Sequence, residues 1–300
     1  MSRIFDALQR ASLERESSPE YERTDSVKPF AAPGEAELPL IEDEILPDRI
    51  VRNSWKPMLD SLPTLGERGE SIEQFRGLRT QLYQYRDQVP LKTILVSSGL
   101  PAEGKTFVAA NLAVSLARNQ NSSVLLIDAD LRKPTIHTIL GSSHLPGLAE
   151  YLSGSARVIE ILQRNQDPRI FVEGQTWQMP DLTLIASGEG GDHSAELVAN
   201  HRFEELITAL SPHFDWIIID SPPALVVADA IDLARAADAV LLVARASQTP
   251  FDVAQRAQAA FVNSRLLGFV LNAVKDAPRG GGYYYYGNRD AGSGSYARKG

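Results

Sequence analysis

The sequence has no cysteine. That excludes disulfide frameworks, thiolate metal sites and a cysteine nucleophile. It also has no apolar run near the ~18 residues that cross a bilayer. Its opening, MSRIFDALQR, lacks the long apolar core of a secretion signal. Excess positive charge is missing too: 30 basic against 38 acidic side chains leave a net −8. A broad electrostatic attraction to nucleic acid or anionic lipid is therefore not expected. The five histidines show no metal-ligand spacing. What remains is a 300-residue chain, 43% apolar and 23% charged, sized for one large or two small globular domains. The expectation is a cytoplasmic protein, with any link to the inner face of the membrane made through a partner.

Charge and proline are unevenly spread. Residues 1–70 hold 15 acidic and 9 basic side chains, a net of −6 out of −8. From Glu14 to Glu70 no period is sustained and Pro29, Pro33, Pro39, Pro47, Pro57 and Pro63 interrupt the chain. Such a composition buries too little apolar surface to offset its ordering entropy, so residues 14–70 read as a disordered acidic linker. Residues 1–13 differ, because Ile4, Phe5, Leu8 and Ala11 fall on one helical face. That face suits either a frayed end helix or a docking helix that folds on a partner.

Over residues 71–277 the pattern changes. The runs TILVSS, SVLLIDAD, LTLIAS, WIIIDSP, AVLLVAR and GFVLNAV alternate with helix-length segments Lys105 to Asn119, Ser194 to Leu210 and Pro250 to Leu266. Runs this uniformly apolar suit parallel strands buried on both faces. Strand–helix alternation predicts an α/β domain with a mostly parallel central sheet flanked by helices. Residues 278–300 read as a flexible tail rich in glycine and tyrosine, with five of the nine tyrosines in the last 18 residues.

The strongest motif follows the strand TILVSS. Gly99-Leu-Pro-Ala-Glu-Gly104-Lys105-Thr106 matches G-x-x-x-x-G-K-[ST], between a predicted strand and a predicted helix. Backbone N–H groups of such a loop, Ala102 and Glu103 among them, form a concave anion site with the helix N-terminus. Gly104 lets the main chain approach phosphates closely. Lys105 supplies a point charge for the β- and γ-phosphates of ATP, and the Thr106 hydroxyl is a ligand for Mg²⁺. Two acidic sites accompany it. VLLIDADLRKP carries Asp128 and Asp130, and WIIIDSPP carries Asp220. Alone, an aspartate after a strand is as readily a turn or cap residue. Beside a phosphate loop, at the carboxyl ends of parallel strands, three carboxylates can orient a nucleophile and hold the waters of Mg²⁺.

Taken together, these motifs resemble the bacterial tyrosine kinases of capsule and exopolysaccharide synthesis, in their soluble, unfused form. The resemblance covers roughly Ser71 to Asn272 plus the tail. SSGLPAEGKTFVAANLA is similar to the family's Walker A segment, VLLIDADLRKP to its Walker A′ and WIIIDSPP to its Walker B. IEQFRGLR resembles its E-x-x-R-x-x-R helix, YYYYG its tyrosine cluster, and MSRIFDALQRA the opening of unfused members. The loop departs from many members, which have serine or another residue where Gly99 stands.

The resemblance implies a deviant-Walker, SIMIBI-like P-loop NTPase fold working as an ATP-dependent protein-tyrosine autokinase. It places Lys105 and Thr106 on ATP and Mg²⁺, Asp128 as the favoured base, Asp130 in support, Asp220 on Mg²⁺ through water, and Asn272 on the adenine. It names Tyr283, Tyr284, Tyr285, Tyr286 and Tyr296 as phosphoacceptors. Glu73, Arg76 and Arg79 would join subunits into a ring whose tails enter neighbouring sites. It implies a separate transmembrane polysaccharide co-polymerase with a cytoplasmic tail as activator, and a tyrosine phosphatase as opponent.

A tyrosine hydroxyl near pKa 10 is a reluctant proton donor to a carboxylate near 3.9. A loose transition state lets the proton leave late, so positioning matters most. Reach leaves transfer within a chain and between chains both open. A positioning or partition ATPase of the same fold would carry a lysine where Leu100 stands and gives no reason for the tyrosine tail. A non-catalytic, ATP-dependent assembly scaffold would share every motif.

Overall fold

The computed structural model describes residues 49–66, 68–119, 122–172, 175–191 and 194–274. The N-terminal helix expected over residues 1–13 and the tyrosines Tyr283–Tyr286 and Tyr296 lie outside them. In chain order the elements are β1 (Val51–Asn53), α1 (Glu70–Arg86), β2 (Thr93–Ser98), α2 (Lys105–Ala117), β3 (Val124–Asp128), α3 (Ile136–Leu140), α4 (Leu148–Ser153), α5 (Val158–Ile161), β4 (Leu162–Asn165), β5 (Arg169–Val172), β6 (Gln175–Gln178), β7 (Leu182–Ile185), α6 (Ser194–Val198), α7 (Arg202–Leu210), β8 (Trp216–Asp220), α8 (Asp229–Leu233), β9 (Ala239–Arg245), α9 (Phe251–Ala260) and β10 (Leu266–Asn272).

Eight strands form one sheet in the order β1-β4-β7-β3-β8-β2-β9-β10, and β5 and β6 form a separate antiparallel pair. Every pairing in the large sheet is parallel except β4 with β7. The expected mostly parallel sheet flanked by helices is therefore present. Alternation explains the continuous apolar runs. Ile94, Val96, Leu126, Ile218 and Leu241 join one buried layer, with Leu112 and Leu116 of α2 and Phe75 of α1. Leu95, Leu125, Ile127, Ile217 and Leu242 join the opposite layer, with Phe203, Leu206 and Leu210 of α7. Both faces of the strands are covered, so both odd and even positions must be apolar. Each large side chain so buried stabilises the fold by about 1.5–3 kcal/mol.

The linker expectation fails over its last stretch. Trp55, Leu62 and Leu65 are buried in the same layer as α1 and α2, Pro63–Leu65 touches both helices, and Val51–Asn53 adds a strand beside β4. The segment has no helical or strand period because it is a strap, held at separate points. Met58 N–H donates to the Ile139 carbonyl at 2.8 Å, and the Thr64 hydroxyl donates to Asn111 Oδ1 at 2.7 Å. Arg118 donates to the Thr64 carbonyl at 2.5 Å and to the Gly66 carbonyl. Three apolar anchors and satisfied backbone groups are enough to order it.

Two helices are shorter than expected. Residues 199–201 divide the predicted helix over 194–210, and the one predicted to reach Leu266 stops at Ala260. No helix among the described residues is long and apolar enough to cross a membrane.

A nucleotide-binding centre at the carboxyl end of the sheet

The phosphate loop is the turn between β2 and α2. Gly104 caps α2 with φ 94, a left-handed backbone that glycine adopts freely. A Cβ on Gly104 would also stand 1.9 Å from Nδ2 of Asn272, so a side chain there would push the Asn272 amide away from the loop. The loop is braced by the ends of β9 and β10. Arg245 donates to the Ala102 carbonyl at 3.1 Å, and Asn272 Nδ2 donates to the Glu103 carbonyl at 3.0 Å. The buried Glu103 carboxylate accepts the Leu100 N–H at 2.7 Å and the Thr249 hydroxyl. This leaves Glu103 its backbone N–H for an anion. The Asn272 amide oxygen accepts the Ala273 N–H at 2.9 Å, so the side chain expected on adenine supports the loop.

Parallel pairing brings the acids together. Asp128 ends β3 and Asp220 ends β8, and the two are register partners. Both are fully buried. One Asp128 oxygen, Oδ2, accepts the N–H groups of Thr135 and Ile136 at 3.1 and 3.0 Å, at the start of α3. The other Asp128 oxygen makes no hydrogen bond, and Asp220 faces only the Thr106 hydroxyl and the Lys105 ammonium. Lys105 reaches into this cluster, with Nζ 2.7 Å from Asp130 Oδ2, 3.6 Å from Asp220 Oδ1 and 3.3 Å from the Thr106 hydroxyl. The structure thus joins Lys105, Thr106, Asp128, Asp130 and Asp220 in one centre.

One ammonium faces three carboxylates, and the protonation states register the imbalance. Burial, then the Asp220 charge, pushes Asp128 up to about 8. Burial also pushes Asp220 up to about 6, against the pull of Lys105. Burial alone would lower Lys105, but Asp220 and Asp130 outweigh it and hold the ammonium above its ordinary value. The donor set fits Mg²⁺: hard oxygens, one of them the Thr106 hydroxyl, and buried carboxylate oxygens short of a counter-charge. Among the described residues no three His, Asp or Glu are grouped to hold a metal alone. Mg²⁺ in nucleotide sites commonly takes one or two carboxylates and completes its shell with water and phosphate.

The sequence reading missed two braces. Arg132 donates to Asp229 through Nε at 3.0 Å and Nη2 at 3.4 Å, tying the segment after Asp130 to α8. Arg245 was not singled out, because nothing in a strand's last residue announces that its guanidinium reaches a loop far along the chain. The R-K-P that follows Asp130 was a signal for the first.

The remaining expected residues lie on α1. Glu73 and Arg76 are exposed and paired at 2.5 Å. Arg79 turns inward, donating to the Ser115 carbonyl of α2 at 2.6 Å. Three-residue steps drift about 60° backward around a helix, so the third residue leaves the face of the first.

A family model described as an AAA domain matches residues 92–253, and its span contains all five residues of the centre. Tyrosine-protein kinase YwqD of Bacillus subtilis is 34% identical over 220 residues, covering 73% of this chain and 87% of that protein. The chain belongs to the bacterial tyrosine-kinase family. The kinase domain of Escherichia coli tyrosine kinase ETK superposes with a TM-score of 0.63 at 28% identity, covering 79% of this kinase and 88% of that chain. Tyrosine-protein kinase wzc of Salmonella typhimurium is 31% identical over 219 residues, which is 72% of this kinase but 28% of that longer protein.

Proposed function

We propose that this kinase transfers the γ-phosphoryl group of ATP to its own C-terminal tyrosines, Tyr283–Tyr286 and Tyr296, in trans within a ring of subunits. The observation that supports this best is the pair of register-matched, fully buried carboxylates that share one ammonium, Lys105, with Asp130. A bound Mg²⁺ would supply the counter-charge they lack and neutralise charge building on the phosphates. Lys105 exchanges Asp130 for the β- and γ-phosphate oxygens, and loop N–H groups hold the rest of the anion. The bond from a tyrosine Oη to the γ-phosphorus forms as the bond to the β–γ bridging oxygen breaks, and ADP leaves. The phenolic proton passes to Asp128. Asp128 must be ionised to take it, the form that a cation beside Asp220 would favour, and a loose transition state lets the proton leave late.

The ring forms through α1, with Glu73 and Arg76 facing the neighbour and Arg79 stiffening the helix from behind. Each phosphotyrosine adds about −1.5 to −2 charge. The tail from Arg279 to Gly300 carries four basic residues and one acidic residue. Several phosphates reverse its sign and drive it from an acidic centre. A transmembrane polysaccharide co-polymerase activates the kinase at the membrane's inner face, with residues 1–13 as a docking helix, and a tyrosine phosphatase resets it. The cycle controls exopolysaccharide polymerisation and export.

The test is incubation with ATP and Mg²⁺, with and without activator, followed by a mass-spectrometric phosphosite map. Phosphate on Tyr283–Tyr286 that disappears in Lys105→Ala is the expected result. Normal ATP consumption with all tyrosines unmodified would refute the reading.

A further inference from the structure

The last strand of the large sheet is an edge. Among the described residues β10 pairs with β9 alone. The Asn272 carbonyl accepts the N–H of Ala246, the residue after β9, at 2.9 Å, so it points inward. Peptide groups alternate along a strand, so those of Phe269 and Leu271 point outward, to the open side. Their side chains share one face as well. Phe269 stands in register with Leu242 and Leu271 with Ala244, and Leu242 belongs to the buried layer that holds Ala257 and Phe261 of the α9 segment. Strand partners in register project to the same face. There Phe269 is 42% exposed and Leu271 61%. One short stretch thus offers two apolar side chains, two N–H groups and two carbonyls with no strand beside them. Such an edge is a template for another strand, and folded proteins ordinarily cover it or blunt it with charge or proline. Leu266–Asn272 contains neither.

The chain carries a strand-forming segment within reach of this edge. Ala273 takes φ 55, a left-handed turn that ends β10. Ten residues, 273–282, separate the strand from the run Tyr283–Tyr286, and Pro278, Gly280, Gly281 and Gly282 among them are residues that reverse a chain. Tyrosine favours strands. We propose that Tyr283–Tyr286 adds to β10 as an antiparallel ninth strand of the large sheet, a resting place for the tyrosine run away from the nucleotide centre. Two tyrosines of one parity, Tyr284 and Tyr286 or Tyr283 and Tyr285, stand opposite Leu271 and Phe269 and cover them with their rings. Their hydroxyls stay in water. A second copy of the chain has the same edge to offer, but the tether favours the tail. A link this short gives an effective concentration on the order of mM, above that of a second copy in dilute solution. The inference goes beyond the autokinase reading and gives it a control. An added strand lies three strand spacings, about 14 Å, to the side of β2, whose end carries the phosphate loop. A docked tyrosine stands too far away to meet the γ-phosphate, so only the released fraction of tails serves as acceptor.

Hydrogen exchange on the full-length chain tests the strand directly. The amides of Phe269 and Leu271 should exchange about fivefold more slowly than in a chain whose Tyr283–Tyr286 are replaced by serine, at any protein concentration. The lack of native cysteine allows a second test without background. Leu271→Cys, combined in turn with Tyr283→Cys, Tyr284→Cys, Tyr285→Cys and Tyr286→Cys, should form a disulfide within one chain, with tyrosine positions of one parity about fivefold ahead of the other. Phe269→Ser with Leu271→Ser should free the run and raise the initial rate of cluster phosphorylation about fivefold, with melting temperature and ADP affinity reporting that fold and loop are intact. Equal exchange with and without the tyrosines, or cross-linking indifferent to parity, overturns the proposal. Protection that survives the serine run and grows with concentration overturns it in favour of a second copy on the edge. A cluster rate that does not rise in the folded double variant overturns the withholding of the acceptor. A wild-type chain that hydrolyses ATP and protects its edge, yet carries no phosphotyrosine, refutes the autokinase reading and leaves the added strand standing.

Discussion

The two ends of the central sheet treat their acids in opposite ways. At the amino end, Asp215 accepts the Ser123 N–H at 2.8 Å and its hydroxyl at 2.9 Å, and Asp238 accepts the N–H groups of Lys92 and Thr93 at 2.7 and 2.8 Å. These carboxylates close the entries to β3 and β2, each taking two donors on a single oxygen. At the carboxyl end, Asp128 and Asp220 are more deeply buried, yet one Asp128 oxygen is unpaired and Asp220 has only the Thr106 hydroxyl and the Lys105 ammonium, 3.6 Å away, to face. A buried acceptor left unpaired costs about 1–3 kcal/mol, more when charged. A fold that satisfies one end and starves the other keeps the second in wait for a ligand. Unmet electrostatic demand therefore marks the functional end more sharply than acidity does.

Removing a charge from each end gives the largest contrast. Asp220→Asn and Asp128→Asn should each reduce tail phosphorylation at least a hundredfold, read as initial rates of phosphotyrosine formation. The same variants should stabilise the metal-free, nucleotide-free protein at pH 8 by about 2 kcal/mol in urea melts, because they remove a poorly compensated buried charge. Asp215→Ala should do the reverse. It leaves the Ser123 N–H without its acceptor and should lose about 1–3 kcal/mol of stability, with phosphorylation kept within about twofold. If Asp128→Asn destabilises as Asp215→Ala does, the contrast between the ends is wrong.

What the sequence made legible follows from the same physics. The loop and the three acids could be read because each needs a fixed residue type at a fixed place. Gly104 has no substitute at φ 94, and Asp128 and Asp220 each close an unbroken apolar run. The five inner strands were legible because burial on both faces writes hydrophobicity at every position, and β10 was legible from its apolar run although it is a half-exposed edge strand. The strap carrying Trp55, Leu62 and Leu65 was not, since its anchors follow the shape of a groove and no period. The brace from Arg245 to Ala102 and the inward turn of Arg79 were hidden for a related reason: a long side chain's partner is chosen in three dimensions. Asn272 was found by resemblance, and its hydrogen bond to the loop shows a duty that resemblance did not convey.

A pH titration sharpens the contrast by a smaller margin. Asp128 and Asp220 have folded values, about 8 and about 6, above their ordinary unfolded value of 3.8. The folded protein then binds protons more tightly than the unfolded chain between those limits. Stability is thus greatest near pH 4 with respect to these groups and is lost as pH rises toward 8. Urea melts of the metal-free protein should show stability declining steadily over that window. Saturating ADP with Mg²⁺ should flatten it, because a bound cation favours the ionised forms. A decline that persists unchanged with ligand would mean that the titrating groups lie elsewhere.

The smallest expected effects are on α1, where a charge bonded to the neighbouring helix contrasts with one paired only at the surface. Arg79 donates to a backbone carbonyl of α2, whereas Arg76 has an exposed glutamate three residues away. Arg79→Met should lower stability by about 1 kcal/mol through the lost hydrogen bond. Arg76→Glu should change stability of the isolated subunit by less than about 0.5 kcal/mol, since an exposed pair of this kind contributes little. Sizing by light scattering then separates their roles. Arg76→Glu should dissolve the ring and slow tail phosphorylation, because its charge is available to a neighbour. Arg79→Met should retain more of the assembly, since Arg79 acts on it only by holding α1 in place. If Arg79→Met dissolves the ring as fully as Arg76→Glu while stability is unchanged, its guanidinium serves the neighbour after all, and internal satisfaction is not what divides structural charges from functional ones on this helix.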